Sequence, residues 1–150
     1  MILYNCDSFV AAWAAQKLGR PVGGAYPRTI GIMRRGELVA AVIYSDYKHP
    51  DIHASIVSTT PAWCTRRALR HILRYPFVQL GCKRVTAVTE ATNHPAREFL
   101  CRLGFRQEGI HPDARPTGDA VSYGLLARDA ARWLAEEDQV VEFTERATAA

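Results

Sequence analysis

The chain has 150 residues, 48% hydrophobic and 23% charged, which is the length and composition of one globular domain able to bury a core. No stretch stays apolar long enough to span a membrane as a helix, and the opening MILYNCDSF has no basic segment leading into an apolar one, so no membrane role is expected and the cytoplasm is the default address. The net charge of +4 is uneven: residues 136–150 hold five acids against one arginine and leave +8 on residues 1–135, which suits either an anionic ligand, cofactor or polymer or a solvated basic surface.

In chain order, Met1 to Asn5 reads as a short strand. Ser8 is placed to cap a helix through Leu18, with Phe9, Val10, Trp13 and Leu18 on its buried side and Gly19 ending it. Arg20 to Arg28, with Pro21, Gly23, Gly24 and Pro27, reads as a loop. Thr29 to Arg34 and Glu37 to Tyr47 are strands joined by an Arg35-Gly36 hairpin turn. The second is almost continuously apolar in its middle, as a strand covered on both faces requires. Lys48 to Pro50 turns the chain into a third strand, Asp51 to Thr59, where Asp51, His53, Ser55 and Val57 share a face.

A helix is expected from Pro61 to Leu80. Ala68, Leu69, Ile72 and Leu73 form its apolar stripe, with Arg66, Arg67, Arg70 and Arg74 on the other side. Those arginines either solvate a helix face or meet an anion. Arg84 to Thr89 is β-rich. Asn93 is a good N-cap, Pro95 falls in the first turn, where its missing N–H costs little, and Ala96, Phe99, Leu100 and Leu103 repeat at helical spacing. Gly104 is placed to stop that helix in a left-handed conformation. A strand from Phe105 to Ile110, a loop from His111 to Gly118, a strand from Ala120 to Leu126 and a helix from Arg128 to Ala135 follow. Residues 1–135 are thus read as one domain and 136–150 as a frayed acidic tail.

Cys6, Cys64, Cys82 and Cys101 form no CxxC pair and have no histidine at a zinc-like spacing, so they read as structural thiols of a reducing compartment. His49, His53, His71, His94 and His111 are scattered and make no metal constellation. The order of elements is a three-stranded antiparallel meander, a helix crossing to a parallel strand, then a helix and two further strands. That is a mixed sheet with helices on its faces.

This order, with Asn93-x-x-Ala96 opening a helix and Leu103-Gly104-Phe105 closing it, resembles the GNAT superfamily of acyl-CoA-dependent N-acyltransferases. Tyr123-Gly124-Leu125-Leu126-Ala127-Arg128, followed by Trp133-Leu134, is similar to the end of the ribosomal-protein acetyltransferase branch and of related phage-encoded members. The resemblance runs from Thr29 to Leu134 and is weaker before it. It implies an α/β (α+β) fold, a mixed and mainly antiparallel sheet flanked by helices. A V-shaped cofactor gap would open between two parallel central strands. Acetyl-CoA would lie there as cosubstrate, its pantetheine arm against the backbone of Ile56, Val57 and Ser58 and its pyrophosphate at the next helix N-terminus, where free N–H groups and the helix dipole favour an anion.

Two departures from the family pattern stand out. The pyrophosphate loop, Thr59 to Thr65, has no glycine, so Thr60, Thr65, Arg66, Arg67 and Arg70 are the expected phosphate contacts. The tyrosine that protonates departing CoA in many members falls at Leu100. The remaining candidates are His53 as base, Tyr123 as acid, Asn93 on the pantetheine or on neighbouring backbone, and Arg97 toward the adenosine phosphates. The expected activity is transfer of an acetyl group to a primary amine of a protein or small molecule, by a monomer or homodimer. The alternatives are a GNAT-fold binding protein that engages a partner without turnover and, ranked last because no aromatic platform accompanies the basic residues, a nucleic-acid modifier.

Overall fold

The structure is a computed structural model that describes residues 1–134; Ala135 and the expected acidic tail, 136–150, lie outside the described residues. Seven strands form one sheet: β1 (Ile2–Leu3), β2 (Arg28–Arg34), β3 (Glu37–Lys48), β4 (Asp51–Ser58), β5 (Arg84–Glu90), β6 (Arg106–Arg115) and β7 (Gly118–Leu126). Their spatial order is β1-β2-β3-β4-β5-β7-β6, antiparallel throughout except for the parallel β4–β5 pair at the centre. The helices are α1 (Asp7–Leu18), α2 (Arg66–Arg74) and α3 (His94–Leu103), with residues 127–134 helical as α4.

Both faces of the meander are buried, as the unbroken apolar run of β3 predicts. Ala40, Val42 and Tyr44 face one side with Ile52 and Ala54 of β4, Leu69, Ile72 and Leu73 of α2, Leu100 and Leu103 of α3, and Ala130 of α4. Ala41 and Ile43 face the other side with Val57, Val10 and Ala14, the last two from α1. The hairpin turn is as expected, with Arg35 and Gly36 both at positive φ. Asn93 caps α3 by accepting from the Ala96 N–H at 3.3 Å, and Gly104, φ 109°, stops it.

Several boundaries differ from expectation. The helix read over Pro61 to Leu80 is three pieces: a 3-10 turn (Pro61–Trp63), α2, and a π turn (Tyr75–Gln79). Thr65 restarts the helix as an N-cap, its hydroxyl accepting from the Ala68 N–H at 3.1 Å. Pro76 has no N–H to donate and its ring crowds the preceding carbonyls, so the last turn widens and the Leu80 N–H reaches back to the Tyr75 carbonyl. α1 starts at Asp7, with Cys6 rather than Ser8 at its cap, and Phe9 is 61% exposed while Val10 and Ala14 are sealed. Small residues face the sheet because α1 lies close to Gly31, where a Cβ would stand 3.3 Å from a Val10 methyl. β6 runs on to Arg115 through the expected loop. It is the last strand of the sheet, and an edge strand tolerates Pro112.

Candidate functional site: a fork between two parallel strands

The parallel ladder between β4 and β5 holds three pairs, Asp51 with Arg84, Ile52 with Val85 and His53 with Thr86. Beyond them the strands part. β4 stays paired with β3 as far as Ser58, and β5 stays paired with β7 as far as Glu90. Each arm belongs to its own antiparallel partner, and the sheet opens between them. The backbone edge of β4 from Ala54 to Ser58 therefore lies on the inside of a V, the arrangement that lets an extended ligand add as a strand. Ile56, Val57 and Ser58 are on this edge, Val57 with its side chain in the α1-side core and Ser58 exposed.

The wide end of the V leads into the segment between β4 and α2. Thr60 caps the 3-10 turn, its hydroxyl accepting from the Ala62 N–H at 3.3 Å. Trp63, 3% exposed, pins that turn to the core with its ring 5.7 Å from Phe99 of α3. An anchored aromatic thus stands where a glycine would give flexibility. The capping hydroxyls of Thr60 and Thr65 spend only lone pairs on the backbone, so each keeps its hydrogen for an anion. The first turn of α2 adds backbone N–H groups and a positive dipole end. Arg67 is exposed beside it; Arg66 packs its guanidinium 5.5 Å from the centre of the Trp133 ring; Arg70 is half-buried.

At the vertex, His53 is the last β4 residue paired to β5, and its side chain is 41% exposed. Its Nε2 is 3.9 Å from Asp51 Oδ2. Asp51 Oδ1 accepts from the Thr86 hydroxyl at 2.9 Å and lies 3.5 Å from Arg84 Nε. Arg84 then grips Glu108 of β6 with both terminal nitrogens. Hydrogen bonding to Glu108 raises the Arg84 pKa, with the charges of Glu108 and Asp51 adding to it against burial. The strap crosses β7 over Gly124, which has no side chain to obstruct it. Nearby, burial pushes the Cys82 thiol up, and the charge of Asp51 adds to that.

No family model matches the chain, and no curated protein matches it either. Solved structures do. The ribosomal-protein-S18-alanine N-acetyltransferase of Escherichia coli aligns at TM-score 0.66 and 17% identity over 85% of this chain and 93% of that one. The ribosomal-protein-S5-alanine acetyltransferase of Vibrio fischeri aligns at 0.60 and 16% over 67% of this chain, which spans 62% of the enzyme's length. A GCN5-related N-acetyltransferase of Brucella melitensis aligns at 0.57 and 22% over 69% of this chain and 52% of that one. This chain has the GNAT fold.

Within the GNAT fold the remaining predicted residues fall in two groups. Asn93 caps α3 through Oδ1, the neighbouring-backbone role expected of it, and its amide NH2 takes no part in the cap. Arg97, expected to point outward to phosphates, turns inward: its Nε donates to the Tyr123 hydroxyl at 2.9 Å, Nη1 to the Ala91 carbonyl at 2.9 Å and Nη2 to Gln107 at 3.2 Å. These acceptors use all three nitrogens and tie α3 to the end of β5 and to β6 and β7. Tyr123 is 1% exposed, on β7 opposite Ala87 of β5, and Leu100 is buried in the same core cluster. Sequence reasoning missed the Arg84–Glu108 strap and the Trp63 anchor. The strap leaves a faint trace, Arg84 and Thr86 two apart on one face of a strand; the anchor leaves none, because nothing in the local pattern says that Trp63 meets Phe99.

Proposed function

We propose that this GNAT-fold chain is an N-acetyltransferase that moves an acetyl group from acetyl-CoA to a primary amine by direct attack. The observation that carries the reading is the fork itself: a ladder of three pairs, then an open β4 edge, with a half-exposed histidine at the last pair. An extended pantetheine arm fits the edge from Ile56 to Ser58. The phosphates fit the Thr60 and Thr65 hydroxyls, the first N–H groups of α2, and Arg66, Arg67 and Arg70. The thioester then lies toward the vertex, where backbone N–H groups can polarise its carbonyl. His53 takes a proton from the acceptor's ammonium group, directly or through water, as nitrogen bonds to the carbonyl carbon. As the C–S bond breaks the nitrogen gives up its second proton, and the thiolate takes a proton from the Tyr123 phenol or from water; that donor regains its proton from the one the nitrogen releases, so that one proton ends on sulfur and one on His53. Tyr123 accepts its hydrogen bond from Arg97 and so keeps its own hydrogen to give.

Calorimetric titration with acetyl-CoA, followed by thiol release across a panel of peptides and small amines, tests this reading. Binding at about micromolar Kd, weakened by Arg67→Ala, is expected. His53→Ala is expected to lower kcat by about 10²-fold or more while leaving acetyl-CoA affinity intact. If acetyl-CoA does not bind and no amine releases thiol, the reading fails. A second reading, a GNAT-fold protein that binds a partner without turnover, is favoured by the Trp63-anchored turn without glycine and by buried Leu100 at the usual tyrosine position. Acetyl-CoA binding without thiol release on any amine would select it.

A further inference from the structure

On the α2 side of the sheet, under the vertex of the fork, the core keeps a cavity of about 20 Å³. Both arms of the V contribute to its wall. Ala54 is the first β4 residue beyond the three-pair ladder, Ile56 follows it along the open edge, and Val85 of β5 stands inside the ladder opposite Ile52. Ala54 and Ile56 thus border the fork and the cavity alike. Tyr44, paired with Ala54 across β3 and β4, and Ile72 and Leu73 of α2 close the far side.

The space is about the size of one water molecule, yet water is poorly suited to it, because a buried water needs roughly two to four polar partners. The lining is apolar apart from the Tyr44 phenol, whose hydroxyl donates to the Ile72 carbonyl. A methyl or methylene group needs no such partner. It leaves water for apolar walls and supplies the dispersion contacts that atoms around a void lack.

In the acyl-donor reading above, the thioester lies toward the vertex, and its acyl carbons are the part of the donor next to this space. We propose that the cavity is the subsite for the acyl tail and that it takes one carbon beyond acetyl, so that acetyl-CoA is accepted and propionyl-CoA binds better. The proposal rests on that reading for the place of the thioester and goes beyond it in naming the acyl class. The limit of one carbon comes from the walls. Val85, Ile72 and Leu73 are buried in a packed core, where inserting a further methylene forces strain that outweighs its transfer from water.

Calorimetric titration of the full chain with CoA, acetyl-CoA, propionyl-CoA and butyryl-CoA reads this without an acceptor amine. Propionyl-CoA is expected to bind about fourfold tighter than acetyl-CoA, the effect of one buried methylene, and butyryl-CoA no tighter than propionyl-CoA. Two variants, each checked for folding by thermal melting, move the limit in opposite directions. Val85→Ile adds a methylene to the wall and is expected to abolish the propionyl preference. Ile72→Val removes one and is expected to shift the optimum to butyryl-CoA. The series on the unaltered chain decides the matter even where a variant does not fold. Equal affinity for acetyl-CoA and propionyl-CoA overturns the proposal. So does affinity that climbs evenly through butyryl-CoA, because the tail then lies along an open surface, and so does a propionyl preference that neither folded variant moves. Binding of acetyl-CoA with no gain from longer tails removes this proposal alone; failure of CoA and of every thioester to bind removes the acyl-donor reading and this proposal with it.

Discussion

A methyl group at Gly124 would stand 2.5 Å from an Arg84 guanidinium nitrogen and 2.6 Å from both Glu108 carboxylate oxygens. Those atoms end flexible side chains, so Gly124→Ala displaces the strap rather than the backbone. The expected cost is about 1 kcal/mol, the scale of a partly exposed charge-assisted pair. Glu108→Gln removes the same strap, so the two substitutions together should cost less than the sum of their separate effects in denaturant unfolding. Additive losses would mean that Gly124 matters for something other than the strap. Tyr123→Phe decides between phenol and water as proton donor to the thiolate: a slower acetyl transfer from acetyl-CoA, with transfer from p-nitrophenyl acetate unchanged, is expected if the phenol donates. At this scale the sequence was a partial guide. It identified Asn93 and Gly104 because caps follow from local backbone chemistry. It did not foresee the bonds of Arg97, because its three acceptors come from Ala91, Gln107 and Tyr123, which only the folded sheet brings to it.

The segment from Thr59 to Gln79 shows what an element owes to its neighbours. Its apolar stripe at Ala68, Leu69, Ile72 and Leu73 is as periodicity predicts. The break before Arg66 and the π turn after Arg74 come from Thr65 and Pro76, single residues whose signals are easily lost inside a long apolar pattern. Trp63 ties the broken part to α3. Trp63→Ala is expected to cost about 3–5 kcal/mol in chemical denaturation, because the ring is fully packed and borders a small apolar cavity shared with Leu69, Leu103 and Phe105. Acetyl-CoA affinity should fall with it if the anchored turn holds the phosphates. Trp63→Phe should recover part of both. A loss of stability with unchanged affinity would remove the turn from the binding argument.

For the molecule as a whole, alkaline pH tests how completely its core is sealed. Burial raises the pKa of the Cys82 thiol above its ordinary 9.0 and that of the Tyr44 phenol well above 10.0. Below about pH 8.5 both groups are neutral folded or unfolded, so they add no pH dependence. As pH rises through those ordinary values the unfolded chain ionises first. The folded chain then holds more protons, and stability falls until the raised folded values are passed. The melting temperature should be level from about pH 7 to 8.5 and drop above about pH 9. Tyr44→Phe should flatten the upper part of the drop while losing the hydrogen bond to the Ile72 carbonyl. A flat profile to about pH 11 would show that these groups are not held neutral. The sequence by itself determined the order of elements, the doubly covered β3, the caps of α3 and the family to which the fold is similar, because hydrophobic period and turn chemistry act over a few residues. The tertiary structure alone decided where β4 and β5 part, which face α1 buries, and that Arg84 straps Asp51 to Glu108. Each of these is set by competition among segments far apart in the chain: β4 and β5 separate because each has an antiparallel partner on its other edge, and no local pattern records who that partner is.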